Sequence, residues 1–207
     1  MSFSICILTD SGVVLAYRGD AGYTETGALT QAITVGDTEY AIGTKVQVMV
    51  EQPIFYIKAV PVKAENASSG RGKQYTKARY YISPTPKVGF TAPRAFMDER
   101  GIYQDKIYLS AFEGSIYDTS ATAYLKADEQ VADFATDLLC SIAGAKPASG
   151  LTQNLTRANV RKLCNNRGTG WQSHSIFAMA VTEWLLMIEY ATLDAQRAVG
   201  RLSLIHI

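Results

Sequence analysis

At 207 residues the chain is long enough for one large domain or two small ones with a self-sufficient core. Hydrophobic residues at 47%, charged residues at 19% and a formal net charge of +1 describe an ordinary globular protein. That balance excludes the electrostatic footprint of a general nucleic-acid or anionic-membrane binder, so no nucleic-acid partner is expected.

The N-terminal run Met1-Ser2-Phe3-Ser4-Ile5-Cys6 has no basic flank and meets Thr9-Asp10-Ser11-Gly12 too soon for a signal peptide, so the product is expected to begin in a cytoplasm. Phe3 to Leu8 and Val13 to Tyr17 are short apolar runs joined by that turn sequence, and they predict a hairpin. Between Gly19 and Gly43 glycine recurs and no apolar period holds, which predicts irregular structure with one strand around Ala32 to Val35. Val46, Val48 and Val50 then alternate along a strand. Pro53, which cannot donate to a ladder, separates it from a second run over Ile54 to Val60.

Lys63 to Lys77 is polar and predicts an exposed loop between strands Ile54–Val60 and Arg79–Ser83. Its centre, Ser68-Ser69-Gly70-Arg71-Gly72-Lys73, is not a phosphate-binding loop, because Ala67 stands where the first glycine is required and no helix follows. Pro84, Pro86 and Pro93 punctuate an extended connection. Asp105 to Ser115 predicts a central strand followed by a turn, and Ala127 to Leu139 a short helix with Asp128 and Glu129 in its first turn. Ile142 to Gly150 reads as loop. Thr156 is the predicted N-cap of a helix through Asn165, terminated by Arg167-Gly168-Thr169-Gly170, where two close glycines call for positive φ and Trp171 locks the turn onto the core.

The last helix, from about His174 to Thr192, is apolar around most of its circumference and is expected to be buried on most faces. A membrane span is the rival reading, but acidic residues near mid-span each cost about 2.5–3.5 kcal/mol and no basic flank orients the segment. Twelve tyrosines lie largely in strand-like segments, where an aromatic with one polar tip packs on a half-buried sheet. The three cysteines, Cys6, Cys140 and Cys164, are odd in number and widely spaced, and read as reduced thiols.

The catalytic inventory is thin. His174 and His206 are the only histidines, and Glu183 and Glu189, six residues apart, do not share a helix face as an acid–base pair would. No catalytic residue, metal ligand or cofactor is assigned, and the ligand-binding residues stay unassigned. Asn66-Ala67-Ser68 and Asn154-Leu155-Thr156 match the glycosylation pattern only as chance allows.

A set of pieces in consistent order carries a resemblance: Val48-Met49-Val50-Glu51-Gln52-Pro53-Ile54-Phe55-Tyr56, Tyr81-Ile82-Ser83-Pro84, Ile107-Tyr108-Leu109-Ser110-Ala111-Phe112-Glu113-Gly114, Asn166-Arg167-Gly168-Thr169-Gly170-Trp171, and Glu189-Tyr190-Ala191 followed by Gln196 and Gly200. Together they resemble phage and prophage tail-associated structural proteins bearing a C-type-lectin-like domain related to the formylglycine-generating-enzyme fold. The resemblance implies an α+β protein, strand-rich with hairpins at the N-terminus, then a lectin-like domain with two helices near the C-terminus. It divides the chain into an N-terminal strand and turn segment (1–44) and an incomplete lectin-like domain (45–201).

The implied function is that of a non-enzymatic virion component of the tail tip or fibre, displaying a ligand-binding surface for host attachment. The implied partners are a host glycan or surface protein, other tail proteins and further copies of itself. The alternatives are an enzyme of the oxidase-like branch of that fold and a bacterial surface or secreted binding module. Cys140 and Cys164 do not match the copper-binding pair of the enzyme branch in placement. Leu202-Ser203-Leu204-Ile205-His206-Ile207 resembles the translation of a transposase adapter used in preparing sequencing libraries, so 202–207 is set aside as a scar and the natural chain is expected to continue past Arg201. A lectin-like core ending at Gly200 would leave part of the apolar face of Ile176–Ala191 uncovered.

Overall fold

The computed structural model of the chain describes residues 3–150, 152–192, 194 and 197–198. The expected adapter scar at 202–207, with Gln196 and Gly200 of the resemblance, lies outside the described residues. The fold is mixed α+β, with several small antiparallel sheets followed by two helices. By contact the chain divides into two compact units, Ser2–Gln52 with Tyr108–His174, and Pro53–Ile107 with the segment from Ser175 onward.

In the first unit, β1 (Ser4–Leu8) and β2 (Val14–Tyr17) form the expected hairpin, with Cys6 opposite Tyr17. The Thr9 hydroxyl accepts from the Val13 amide at 3.0 Å and Gly12 takes φ 83°, the left-handed angle its lack of Cβ permits. Against the other edge of β1 lies β5 (Gln47–Pro53), with Ile7 opposite Val48. The sheet order is β2-β1-β5-β8, where β8 is Lys106–Ser110.

The expected central strand at 105–115 is therefore an edge strand. Its apolar run Ile107-Tyr108-Leu109 is half-buried by side-chain packing without a second neighbouring strand, and Ser115 already belongs to a different strand. The glycine-rich stretch holds a two-strand ribbon, β3 (Ile33–Val35) with β4 (Thr38–Tyr40), so one strand was foreseen and its partner missed. A three-stranded sheet of β9 (Ser115–Asp118), β10 (Ala123–Tyr124) and β11 (Leu138–Cys140) follows, in the order β10-β9-β11.

The expected helix over 127–139 does not form. Side chains hold this segment in turns instead: Gln130 Oε1 accepts from the Lys126 and Ala127 amides at 2.7 and 2.9 Å, and Asp137 Oδ2 captures at 2.8 Å the Asp133 amide that a helix would have bonded to its own backbone. Leu138 to Cys140 instead pairs with β9. The four-stranded and three-stranded sheets are joined through buried Gln47 and Ser141. Gln47 Oε1 accepts from the Ser141 amide at 2.8 Å, while the Ser141 hydroxyl donates to the Val48 carbonyl at 2.7 Å. Helix α1 (Arg157–Asn165) begins where expected, with the Thr156 hydroxyl accepting from the Asn159 amide at 3.3 Å.

The second unit is built on a long hairpin, β6 (Tyr56–Asn66) with β7 (Lys73–Ser83). The loop expected from Lys63 to Lys77 is corrected to the turn at 67–72, because the ladder runs on through polar residues and two bulges flanking Lys63. Backbone pairing does not require apolar side chains. Near its base, Ile57 and Ile82 join Phe55, Phe96 and Val181 in the core, with the Phe55 and Phe96 rings edge-to-face at 5.6 Å.

Helix α2 (Ile176–Glu189), N-capped by Ser175, packs Val181, Trp184 and Leu185 there, Trp184 standing edge-on to Tyr80 at 5.2 Å. Burial on most faces, as expected from the sequence, is not observed. Val181 is the helix's one buried residue, while Ile176 is 71% and Met179 52% exposed. Val181, Trp184 and Leu185 pack into the core, while Ala178, Ala180 and Leu186 to Ile188 are half-buried. Among the described residues no helix is long and apolar enough to cross a membrane.

Candidate ligand-binding cleft and the Arg167 node

The block Asn166–Trp171 ends α1 and anchors it. Gly168 and Gly170 take φ 130° and 91°, so the chain reverses as their spacing predicted. The Arg167 side chain is then driven into the core, 1% exposed. Its Nε donates to the Leu139 carbonyl at 2.9 Å, one terminal nitrogen pairs with the Asp10 carboxylate, and the other donates to Cys140 Sγ at 2.8 Å. Trp171 lies against the guanidinium, 5.3 Å to the ring centre, and its Nε1 donates to the Asp10 carbonyl at 2.8 Å. Asn166 Nδ2 donates to the Asp137 carbonyl at 2.9 Å. Three distant segments, the first turn, β11 and the end of α1, are thereby fixed by one planar, permanently charged group.

All three cysteines are free and buried. Burial pushes the Cys140 thiol up from its ordinary value, an effect the Arg167 charge only partly offsets. It is held as a neutral thiol, the wrong form for a nucleophile. Cys164 is raised by burial in the same way. The node is thus a structural clamp.

In the same unit a cleft of about 380 Å³ is lined by Thr26, β10 with Leu125 and Lys126, and the loop 142–146. Its volume falls within the range of roughly 300–1,000 Å³ usual for small-molecule sites. Gly27, next to the lining residue Thr26, lets two other lining side chains, Tyr124 and Ile142, close in on the backbone. At φ 86° a Cβ there would stand 2.6 Å from the Tyr124 hydroxyl and 2.9 Å from Ile142 Cγ2, so only glycine lets these side chains approach the backbone. Tyr124 is edge-on to Tyr117 at 5.1 Å, and burial pushes its phenol up to about 12, leaving it a neutral donor at physiological pH. Lys146 is paired with Asp128 at one end of the lining, and Lys126 is exposed. The Thr26 and Tyr124 hydroxyls and the Lys126 ammonium stand around a mostly apolar lining, which suits a small ligand with hydroxyl groups and one acidic group.

The residues weighed for catalysis are not brought together. His174 is exposed ahead of α2, and Glu183 and Glu189 are exposed on it. Among the described residues no group of three or more His, Cys, Asp and Glu side chains is placed to hold a metal ion. Sequence reasoning missed the cleft because its lining comes from three separated segments, and Gly27 was one glycine among many. The chain matches no protein-family model, no curated protein and no solved structure.

Proposed function

We propose that the chain is a bacteriophage virion protein of the tail tip or fibre, carrying a C-type-lectin-like ligand-binding domain that attaches the particle to its host. The observation that carries this reading is the placement of the resembling pieces. They fall on successive framework elements: β5 into β6, the end of β7, β8, the turn that closes α1, and the end of α2. The likeness therefore runs through the chain's scaffold rather than through one loop.

The cleft at Thr26, Tyr124 and Lys126 is the ligand site this reading favours, and a host surface glycan its ligand. Its role is binding, with other tail proteins and further copies of the chain as structural partners. Mass spectrometry of purified particles, together with binding of the full-length protein to host cells, tests the proposal. The protein is expected in the particle, and the free protein is expected to compete with particles for host cells. Absence from particles combined with no host binding would overturn it.

A further inference from the structure

We infer that the β6–β7 hairpin is a cationic arm that docks onto a second copy of this chain, against the acidic β3–β4 ribbon of that copy. The inference is independent of the virion reading. Between Tyr56 and Ser83 stand six cations, Lys58, Lys63, Arg71, Lys73, Lys77 and Arg79, against one carboxylate, Glu65, a net +5 in a chain whose total is +1. The excess is thus local. The unit Ser2–Gln52 with Tyr108–His174 carries 12 carboxylates against 8 cations, a net −4.

The outer part of the arm has no cover. Every residue of 61–66 and 71–77 is exposed, including Val62 and Tyr75, and among the described residues no third strand joins the ladder. A two-stranded ribbon with nothing packed on it is marginal in water. Register makes matters worse, because Lys63 stands directly opposite Lys77, a like-charge cross-strand pair that opposes hairpin formation. Lys63 is paired with Glu65 at 2.7 Å, but among the described residues Arg71, Lys73, Lys77 and Arg79 make no ion pair. An anionic partner surface would relieve both strains.

Arm-on-arm pairing would set +5 against +5, so a twofold contact through the arm is disfavoured. The counter-surface must be a different, acidic patch. On β3–β4, Asp37 and Glu39 are exposed and make no ion pair among the described residues. A contact between unlike surfaces is heterologous, and it propagates into rings or open filaments rather than stopping at a dimer.

The test is the mass of the full chain in solution by light scattering and sedimentation, across salt. Assembly is expected at 50 mM NaCl, weakened about tenfold or more by 0.5 M as exposed charges are screened. Association through the apolar face of α2 would instead persist or strengthen. The arm variant Lys73→Glu/Lys77→Glu and the ribbon variant Asp37→Lys/Glu39→Lys should each be monomeric alone. Mixed together, the arm variant's Lys73→Glu/Lys77→Glu positions meet the ribbon variant's Asp37→Lys/Glu39→Lys positions with opposite charge, and the ribbon variant's native arm meets the arm variant's native ribbon. A 1:1 mixture should therefore co-assemble with the two variants alternating, while the chain carrying all four changes should assemble again.

Neutral versions, Lys73→Gln/Lys77→Gln, guard against misfolding of the reversed arm and should weaken assembly in the same direction. A wild-type chain that is monomeric at 50 mM NaCl overturns the proposal. So does assembly indifferent to the arm's charge, or failure of the four-change chain to assemble. A monomer that binds a polyphosphate or duplex-DNA probe through the arm would also overturn it, by assigning the arm to a polyanion.

Discussion

Removing the guanidinium of Arg167 tests the clamp directly, and Arg167→Ala is expected to lower stability by about 2–4 kcal/mol. The Leu139 carbonyl loses the Nε donor 2.9 Å away, and a buried acceptor left unpaired costs about 1–3 kcal/mol. Loss of the stack on Trp171 adds about 0.5–1 kcal/mol. The ion pair with Asp10 contributes less than its burial on the arginine side suggests, because the aspartate side chain is 37% exposed and water screens it, so about 0–1 kcal/mol is allowed. In a unit of this size each kcal/mol moves Tm by about 3–6 °C, which places the expected drop at about 6–24 °C in a circular-dichroism melt. Asp10→Asn keeps an acceptor for Arg167 and should cost about 1 kcal/mol or less. Arg167→Lys keeps the charge but not the fork, and should fall closer to the alanine variant. If Arg167→Ala melts within about 3 °C of the wild type, or Asp10→Asn is as damaging, the clamp is not built as described.

Alkali should lower the protein's stability. Burial raises the Cys140 and Cys164 thiols above 9.0, and the Tyr23 and Tyr124 phenols reach about 12 against an ordinary 10.0. The folded state therefore holds these protons more tightly than the unfolded chain. Stability is complete below pH 9 and falls as pH climbs through 9 to 12, which a urea midpoint series will register. Gly27→Ala should cost about 2–3 kcal/mol, from positive φ and the collision with Tyr124 and Ile142, and should abolish ligand binding in the cleft; an unchanged midpoint would refute that account. Thr156→Ala should cost about 1 kcal/mol by removing the N-cap of α1, measured by denaturant melt. On α2, Ile176→Glu with Met179→Glu should raise soluble yield and cut binding of an apolar dye, because both side chains are exposed.

Local chemistry was legible where one segment decides its own conformation. Thr9 to Gly12 folds its turn through its own hydroxyl and a glycine, Thr156 caps its own helix, and Gly168 with Gly170 reverses the chain, so each could be read in isolation. Ala127 to Leu139 failed for the opposite reason. Its helical signal was real, but Asp137 takes the Asp133 amide a helix would have used, Gln130 holds the Lys126 and Ala127 amides in a turn, and the buried Asp137 also takes the Thr119 amide from the turn after β9. Apolar content misled in α2, where hydrophobicity around the circumference promised burial that packing completes only at Val181. Periodicity reports what a helix offers, not what meets it.

Net charge misled in a similar way, and the consequence reaches function. An overall +1 suggested a chain with no electrostatic character, yet it averages a +5 hairpin with a −4 unit. The loop assignment over Lys63 to Lys77 hid this further, since cations scattered on a loop are merely solvated, whereas the same cations on a paired ladder are held in fixed register. On the ladder, Lys63, Lys73 and Lys77 stand in a defined register, a pattern able to select a complementary surface. Such a pattern confers more specificity than affinity, because each exposed pair is individually weak and screened by salt. A protein that must assemble with defined order while remaining soluble beforehand is served by that combination: weak pairs keep single copies apart at high salt, and fixed register directs which faces meet when they come together.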